Sequence, residues 1–276
     1  MGQALTGTPI GDRFIELNDA RLRVRATGAG PAVVFLHGWA LDLDMWQPQF
    51  AGLARHVQVV AFDRRGFGLS SGEPDIARDV DDVLAIMDRF DIRKAVVVGM
   101  SQGARVGLRF AQRFSKRVCG LILDGPPHLV ASAIDELPMT HFRELALAEG
   151  LDAFRQQWLR HPFTQLHSTD DRARTLLRKI VERYPGRDLQ CPTATAVTPQ
   201  PDLAALQGPS LVINGEYDSA ARLIAGDDLA QHLPNARYAI VKGAGHLPNI
   251  DNPSAYNELV LSFIRSHTAQ RLAGTA

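Results

Sequence analysis

The sequence predicts an α/β fold, with a mostly parallel central sheet covered by helices on both faces. Short, continuous runs of apolar and β-branched residues alternate with stretches whose apolar residues recur at helical spacing. The chain has 276 residues, which is enough for one large core. A glycine-flanked serine, Gly99-Met100-Ser101-Gln102-Gly103, stands between one such run and the next helical pattern. That arrangement is typical of a tight turn at the edge of a parallel sheet.

The first part of the chain starts with a hairpin and then alternates between strands and helices. Residues 13–17 and 22–26 alternate like a solvated hairpin, with Asn18-Asp19 as its turn. The strands and helices predicted after it are strand 33–36, a helical segment containing Met45, Trp46, Phe50 and Leu53, strand 57–62, helix 76–90, strand 95–98, the helix after Ser101, and strand 118–123.

The alternation stops between Pro126 and about Gln207, where the pattern becomes helical. Helices are predicted at 137–149, 151–159 and 170–184, the last closed by Pro185-Gly186. From Ser210 the alternation returns, with strand 211–213, helix 221–232, strand 238–241 and helix 253–267. We therefore predict a core domain of residues 1–125 and 208–276, with residues 126–207 inserted as a helical lid.

Composition narrows the classes of function. The chain has 30 basic and 30 acidic residues, so nothing indicates a nucleic-acid or membrane-surface partner. Cys119 and Cys191 lie outside any C-x-x-C motif, which argues against a disulfide scaffold or zinc site. Neither a signal peptide nor an apolar run of about 20 residues is present. We expect a cytoplasmic protein without metal or cofactor; its oligomeric state cannot be read from the sequence.

Ser101 is the candidate nucleophile. A serine between a buried strand and a helix must adopt a strained backbone conformation, and the flanking glycines avoid collisions with the neighbouring strand and helix. Its hydroxyl is then exposed above the sheet edge at a helix N-terminus, where developing negative charge is favoured. The alternative reading is a glycine-rich turn with an incidental serine.

A serine hydroxyl needs a base, and the base needs a group that orients it. Of nine histidines, His246 is the best candidate, because Gly243-Ala244-Gly245-His246 follows a strand and opens a loop that can reach Ser101. The candidate acid is Asp218, just past strand 211–213; Asp124, at the end of an earlier strand, is the runner-up. His37 is expected to shape a turn, and Glu216 to be solvated.

Acyl transfer also requires donors for the oxyanion of the tetrahedral intermediate. By its position after Ser101, Gln102 supplies one backbone N–H. The second is expected from the loop after strand 33–36, where His37-Gly38-Trp39 stands, with the Trp39 backbone N–H as donor. The Gln102 side chain is expected to place a polar group near the pocket.

These motifs, together with Asp63-Arg64-Arg65-Gly66-Phe67-Gly68-Leu69-Ser70, resemble the α/β-hydrolase superfamily. Within it, the chain is most similar to bacterial esterases, lactonases and cofactor-free haloperoxidase-like enzymes. The resemblance covers nearly the whole chain apart from the lid. It implies a triad of Ser101, Asp218 and His246, with Trp39 and Gln102 as oxyanion donors.

The expected activity is hydrolysis of a small carboxylic ester or lactone through an acyl-serine intermediate. Trp158, Phe163 and Leu247 are the candidate substrate-binding residues. Hydrolysis of a carbon–carbon bond, as in meta-cleavage-product hydrolases, uses the same triad, and a non-catalytic ligand receptor of this fold is a further alternative. The stretch from Arg155 to Asp188 contains eight basic and four acidic residues. This excess of positive charge is consistent with an anionic substrate or with a solvated helix surface.

Overall fold

The computed structural model describes residues 11–128, 137–190 and 201–272, and the side chains of the last range up to residue 267. Its centre is an eight-stranded sheet of order β1-β2-β4-β3-β5-β6-β7-β8. The strands are β1 (Asp12–Glu16), β2 (Arg21–Thr27), β3 (Ala32–Leu36), β4 (Gln58–Phe62), β5 (Ala95–Met100), β6 (Val118–Asp124), β7 (Ser210–Gly215) and β8 (Ala236–Val241). β1 and β2 pair antiparallel, as do β2 and β4, and all later pairs are parallel. The predicted α/β class is confirmed.

Helices connect the strands and cover both faces of the sheet. They are α1 (Gln47–Leu53), α2 (Ile76–Arg89), α3 (Gln102–Arg113), α4 (Met139–Ala148), α5 (Leu151–Trp158), α6 (Asp171–Arg183), α7 (Arg187–Gln190), α8 (Ala220–His232), α9 (Pro248–Asp251) and α10 (Pro253–Leu272). Short 3-10 helices occur at Leu43–Trp46, Ser115–Arg117, Pro162–Thr164 and Leu203–Ala205. In the described part of the chain, no helix is both long enough and apolar enough to cross a membrane.

The core has two apolar layers because successive strand side chains point to opposite faces of the sheet. Val96 and Val98 of β5 belong to one layer, with Phe35, Trp46 and the aromatic residues of α4 and α5. Val97 belongs to the other, with the apolar faces of α2 and α3. Every residue of β3 and β5 is buried, as expected for central strands covered on both faces.

The hairpin is less solvated than its alternation predicts. Leu22, Arg23 and Val24 of β2 are buried, because β2 also pairs with β4 and so joins the main sheet. The positive charge of the buried Arg23 is compensated, because its guanidinium forms ion pairs with Asp12, Asp44 and Asp63. The hairpin itself is confirmed, but the expectation of a solvated one was wrong.

Residues 137–190, which we call the helical segment, lie between β6 and β7 in the chain. They include α4–α7 and contact the core through Arg183 of α6, whose Nη2 atom lies 2.8 Å from Asp42 and 2.5 Å from Asp44. Tyr184 and the buried face of α6 pack in the same apolar layer as Trp39. The segment therefore sits over the loop that follows β3.

Candidate active site

Ser101 lies between β5 and α3 with φ 50° and ψ −112°, a backbone conformation that residues other than glycine rarely adopt. A Cβ atom on Gly99 would lie 2.3 Å from the carbonyl oxygen of Gly103. One on Gly103 would lie 2.3 Å from the Leu36 carbonyl oxygen. Both glycines are therefore required by the close approach of strand, turn and helix.

His246 and Asp218 come together from the loops after β8 and β7. Nδ1 of His246 lies 2.9 Å from Oδ1 and 3.0 Å from Oδ2 of Asp218. An ionised carboxylate only accepts, so Nδ1 carries the proton and donates it, which leaves the lone pair on Nε2. The side chain of His246 is thus oriented and held in one tautomer.

Asp218 is buried, and its ionised form is stabilised there. Burial opposes its ionisation, but the attraction and hydrogen bond of His246, with further donation from the Asn214 side chain (3.0 Å) and the Ser219 N–H (2.8 Å), hold the pKa of Asp218 below its usual value. A carboxylate in this state can stabilise positive charge on His246.

The loop that carries His246 is fixed by Asp251 of α9. One carboxylate oxygen of Asp251 accepts from the Gly245 N–H at 2.8 Å. The other accepts from the backbone N–H groups of His167 and Ser168, at 2.8 and 2.9 Å. A single side chain thereby joins the His246 loop to the helical segment. No sequence signal identified Asp251, because His167 and Ser168 are distant from it in the chain.

Phe163 of the helical segment stacks on His246, with ring centroids 4.1 Å apart and planes at 26°. The guanidinium of Arg222 lies 4.8 Å from the centre of the Phe163 ring and donates to the Gly125 carbonyl oxygen at 3.0 Å. Gly125 is required here, since a Cβ atom on it would lie 2.8 Å from Cε1 of His246. The imidazole is therefore closely packed.

Ser101 and His246 line the same narrow cavity. Its other described lining residues come from the loop after β3, from β5, from the helical segment and from the His246 loop: Trp39, Leu41, Met100, Leu137, Trp158, Phe163, Thr164 and Leu247. The three residues predicted to bind substrate, Trp158, Phe163 and Leu247, are all in this lining.

Gln102 is the first residue of α3, where the backbone N–H has no acceptor within the helix. Its side chain does not line the cavity, contrary to expectation. Oε1 accepts from Nη2 of Arg64 at 2.5 Å, and Arg64 is itself buried against Asp79. The expected polar group near the pocket is thus directed to a buried arginine.

Trp39 links the loop after β3 to the helical segment. Its indole Nε1 donates to Asp188 of α7 at 2.5 Å, and the same carboxylate accepts from the Tyr184 hydroxyl at 2.5 Å. The rings of Phe142, Phe154, Trp158 and Tyr184 surround the indole, with centroids 4.9–6.1 Å away. The preceding His37 is buried and accepts from the Arg64 backbone N–H at Nε2.

Asp124, the alternative acid, is completely buried at the end of β6. Burial and the nearby charge of Asp218 raise its pKa well above the usual value. His246 donates to Asp218 and not to Asp124. Glu216, expected to be solvated, is a third exposed and pairs with Lys242 at 2.9 Å.

Residues 31–253 match the model of the alpha/beta hydrolase fold family. The chain belongs to this family. Its relatives include esterases, enol-lactonases and non-heme chloroperoxidases, which confirms the resemblance seen in the motifs. The family membership and the sheet order together establish a hydrolase of α/β architecture.

Two curated relatives and one solved structure illustrate the range of the family. The chain is 29% identical to a pimeloyl-[acyl-carrier protein] methyl ester esterase of Nitrosomonas europaea, over 86% of this chain and 97% of that one. It is 27% identical to a 2-hydroxy-6-oxo-6-phenylhexa-2,4-dienoate hydrolase of Burkholderia cepacia, over 91% and 96%. The enol-lactonase structure from Burkholderia xenovorans LB400 superposes with a TM-score of 0.78 at 26% identity, over 92% and 100%.

Proposed function

We propose that this hydrolase cleaves a small carboxylic ester or lactone through an acyl-serine intermediate, with Ser101 as nucleophile, His246 as base and Asp218 as its orienting acid. The observation that carries the proposal is the 2.9 Å contact between His246 Nδ1 and Asp218 beside a cavity that Ser101 also lines. Neither the serine nor the histidine–aspartate pair is sufficient alone. A serine nucleophile needs a base, and the base needs a fixed tautomer.

In the first step, Ser101 Oγ attacks the carbonyl carbon while Nε2 of His246 takes its proton. The oxyanion that forms accepts hydrogen bonds from the backbone N–H groups of Trp39 and Gln102. Collapse of this intermediate breaks the bond to the leaving oxygen, which receives the proton from His246. Water then attacks the acyl-serine with His246 again as base, and the carboxylic acid and free Ser101 are released.

The surroundings of the site stabilise the charges that develop during this reaction. Negative charge develops at the N-terminus of α3, where the helix dipole and free N–H groups stabilise it. Positive charge develops on His246, beside a carboxylate whose lowered pKa keeps it ionised. Ser101, His246 and Asp218 are all buried, so both interactions act in a lower-dielectric environment than bulk water.

The Burkholderia cepacia relative favours a second candidate, hydrolysis of a carbon–carbon bond by the same three residues. In that case, the leaving group is a carbon that must be protonated. The elbow sequence Gly99-Met100-Ser101-Gln102-Gly103 differs from the Asn-Ser-Met-Gly-Gly found in many such enzymes. Ester or lactone cleavage is therefore the primary proposal.

The test is steady-state hydrolysis of short aryl esters and small lactones by the wild type, Ser101→Ala and Ser115→Ala. Ser115 is exposed and remote from the cavity, so its variant controls for serine loss in general. We expect kcat/KM of Ser101→Ala to fall at least about 1000-fold and that of Ser115→Ala to be unchanged. A folded Ser101→Ala with full activity would refute the proposed mechanism. A folded wild type that turns over neither class, but does hydrolyse vinylogous diketones, would establish the second candidate; binding without turnover would indicate a receptor.

A further inference from the structure

The cavity that holds Ser101 has no charged side chain in its described lining. Its residues are aromatic, aliphatic or neutral polar, and nine of the ten are at most 6% exposed; Leu137, at the rim, is half-buried. A substrate group that enters therefore leaves water almost completely.

Three arginines of the surrounding core bind other groups of the protein. Arg64 pairs with Asp79 and with the Gln102 side chain, and Arg183 with Asp42 and Asp44. Arg222 donates to the Gly125 carbonyl oxygen at 3.0 Å, and its guanidinium lies 4.8 Å from the centre of the Phe163 ring. The stretches 129–136 and 191–200, which are outside the described residues, contain no lysine or arginine.

We propose that this site selects uncharged substrates and discriminates against a carboxylate on the acyl part. The inference rests on the proposed function and narrows it. A carboxylate buried without a cation or several donors loses its hydration uncompensated, which is costly. The indole N–H of Trp158 has no acceptor among the described residues, but one neutral donor satisfies only one of about four lone-pair sites of a carboxylate.

The basic excess between Arg155 and Asp188 contributes no arginine to the described lining of the cavity. Arg183, which reaches the core from this stretch, forms ion pairs with Asp42 and Asp44. The substrate named for the Burkholderia cepacia relative is a dienoate, hence a carboxylate. A neutral ester or lactone fits the lining of this chain better.

The test compares the ethanol released from three ethyl esters of equal acyl shape: ethyl 4-methylpentanoate, ethyl succinamate and monoethyl succinate. Their acyl ends are isopropyl, amide and carboxylate, which are nearly isosteric. We expect kcat/KM for the carboxylate to be at least about 100-fold below that for the isopropyl compound, with the amide between them. A succinate turned over within threefold of the methylpentanoate would overturn the inference.

A charge added at the rim should reverse part of this selectivity. In Leu137→Arg, the half-buried position lets a guanidinium meet the acyl end while remaining partly hydrated. We expect the ratio of succinate to methylpentanoate kcat/KM to rise at least about 10-fold. Leu147→Arg, on the exposed surface of α4, should leave the ratio unchanged. Equal ratios in both variants would contradict a charge-selective cavity.

Failure of this inference is distinguishable from failure of the proposed function. If succinate and methylpentanoate are hydrolysed equally well and Ser101→Ala abolishes both activities, only the charge selectivity is wrong. If Ser101→Ala leaves both activities intact, the serine mechanism is wrong.

Discussion

Ser101 is held in a backbone conformation that costs of the order of 1–3 kcal/mol, and it persists because the packing around it permits no alternative. The carbonyl oxygens of Leu36, His37 and Gly103 crowd the turn from two sides. This crowding fixes where the hydroxyl lies relative to the N-terminus of α3. The same contacts make the two flanking glycines sensitive positions.

Alanine at Gly103 should therefore destabilise the protein, whereas alanine at Gly107 should not. Both residues are in α3, but a Cβ atom at 107 would meet nothing closer than 3.4 Å. We expect Gly103→Ala to lower the free energy of unfolding by about 1–3 kcal/mol. Gly107→Ala should raise it by up to about 1 kcal/mol, from helix propensity. Urea denaturation measures both, and equal effects would contradict the described turn.

Neutralising the two buried aspartates near His246 should have very unequal effects on kcat. Asp218→Asn removes the acceptor that fixes the His246 tautomer, and we expect kcat to fall by about 10⁴. Asp124→Asn should change kcat less than about threefold, because His246 donates to Asp218 and burial favours the neutral form of Asp124. Steady-state kinetics at pH 7.5 compare them. The reverse order of effects would make Asp124 the functional acid.

Among single residues, the sequence identified those whose neighbours in the chain form a recognisable catalytic motif. Ser101 stands between two glycines required by close packing, and His246 follows a glycine-rich loop, so the local pattern was sufficient to propose both residues. The side chain of Gln102 was misjudged because its partner, Arg64, is distant in sequence and buried. Asp188 and Asp251 were missed for the same reason: each joins segments that no local pattern relates.

Among the elements, the contact between the helical segment and the loop after β3 has the most consequence. Asp188 accepts hydrogen bonds from both Trp39 and Tyr184, and aromatic rings of α4 and α5 enclose the indole. The side chain of the proposed oxyanion donor is thus fixed by α7. We infer that Asp188 is a positioning residue for the Trp39 backbone N–H.

Asp188→Leu should lower kcat by about 10-fold with a smaller change in KM, because Trp39 loses its acceptor and its main chain shifts; complete loss of one oxyanion donor typically costs about 2.7–4 kcal/mol. Asp188→Asn retains one acceptor oxygen and should restore most of the activity. Affinity for a trifluoromethyl ketone, which forms a tetrahedral adduct, should fall in parallel with kcat. If Asp188→Leu lowers only thermal stability, the contact is purely structural.

Long periodic elements were predictable and short ones were not. The apolar runs of β3 to β7 and the amphipathic pattern of α2 follow directly from burial on one or both faces. α7 and α9 have four residues each, too few for a helical period, and were missed. The hairpin was taken as solvated because alternation indicates one exposed face, whereas pairing with β4 is not encoded locally.

For the molecule as a whole, buried carboxyl groups make stability depend on pH. Between the usual pKa of an aspartate and the raised pKa of Asp124, this carboxyl is protonated in the folded state and ionised in the unfolded state. The Asp124 carboxyl therefore binds more protons in the native state. The free energy of unfolding falls as pH rises above the unfolded pKa of about 3.9. Asp12, whose pKa is lowered by Arg25 and Arg23 despite the opposing effect of its partial burial, acts with the opposite sign.

We expect Asp124→Asn to gain stability over the wild type with increasing pH, by about 1.4 kcal/mol per pH unit above about pH 4, until the folded carboxyl titrates. Asp12→Asn should lose stability relative to the wild type as pH rises up to about pH 4, because the folded carboxyl ionises below the unfolded one, and the difference should then stay constant towards neutrality. Guanidinium denaturation between about pH 2 and 8 measures both differences. A pH-independent difference for Asp124→Asn would show that this carboxyl is ionised in the folded protein.

The most direct test of the acyl-serine mechanism is the site of covalent modification by diisopropyl fluorophosphate, read by mass spectrometry of the intact and digested protein. The account predicts one adduct per chain, on the peptide containing Ser101, with activity lost in proportion to labelling. His246→Ala should label far more slowly, since the serine then lacks its base. An active protein that takes no adduct, or one that is inactivated by an adduct on another residue, would contradict the mechanism.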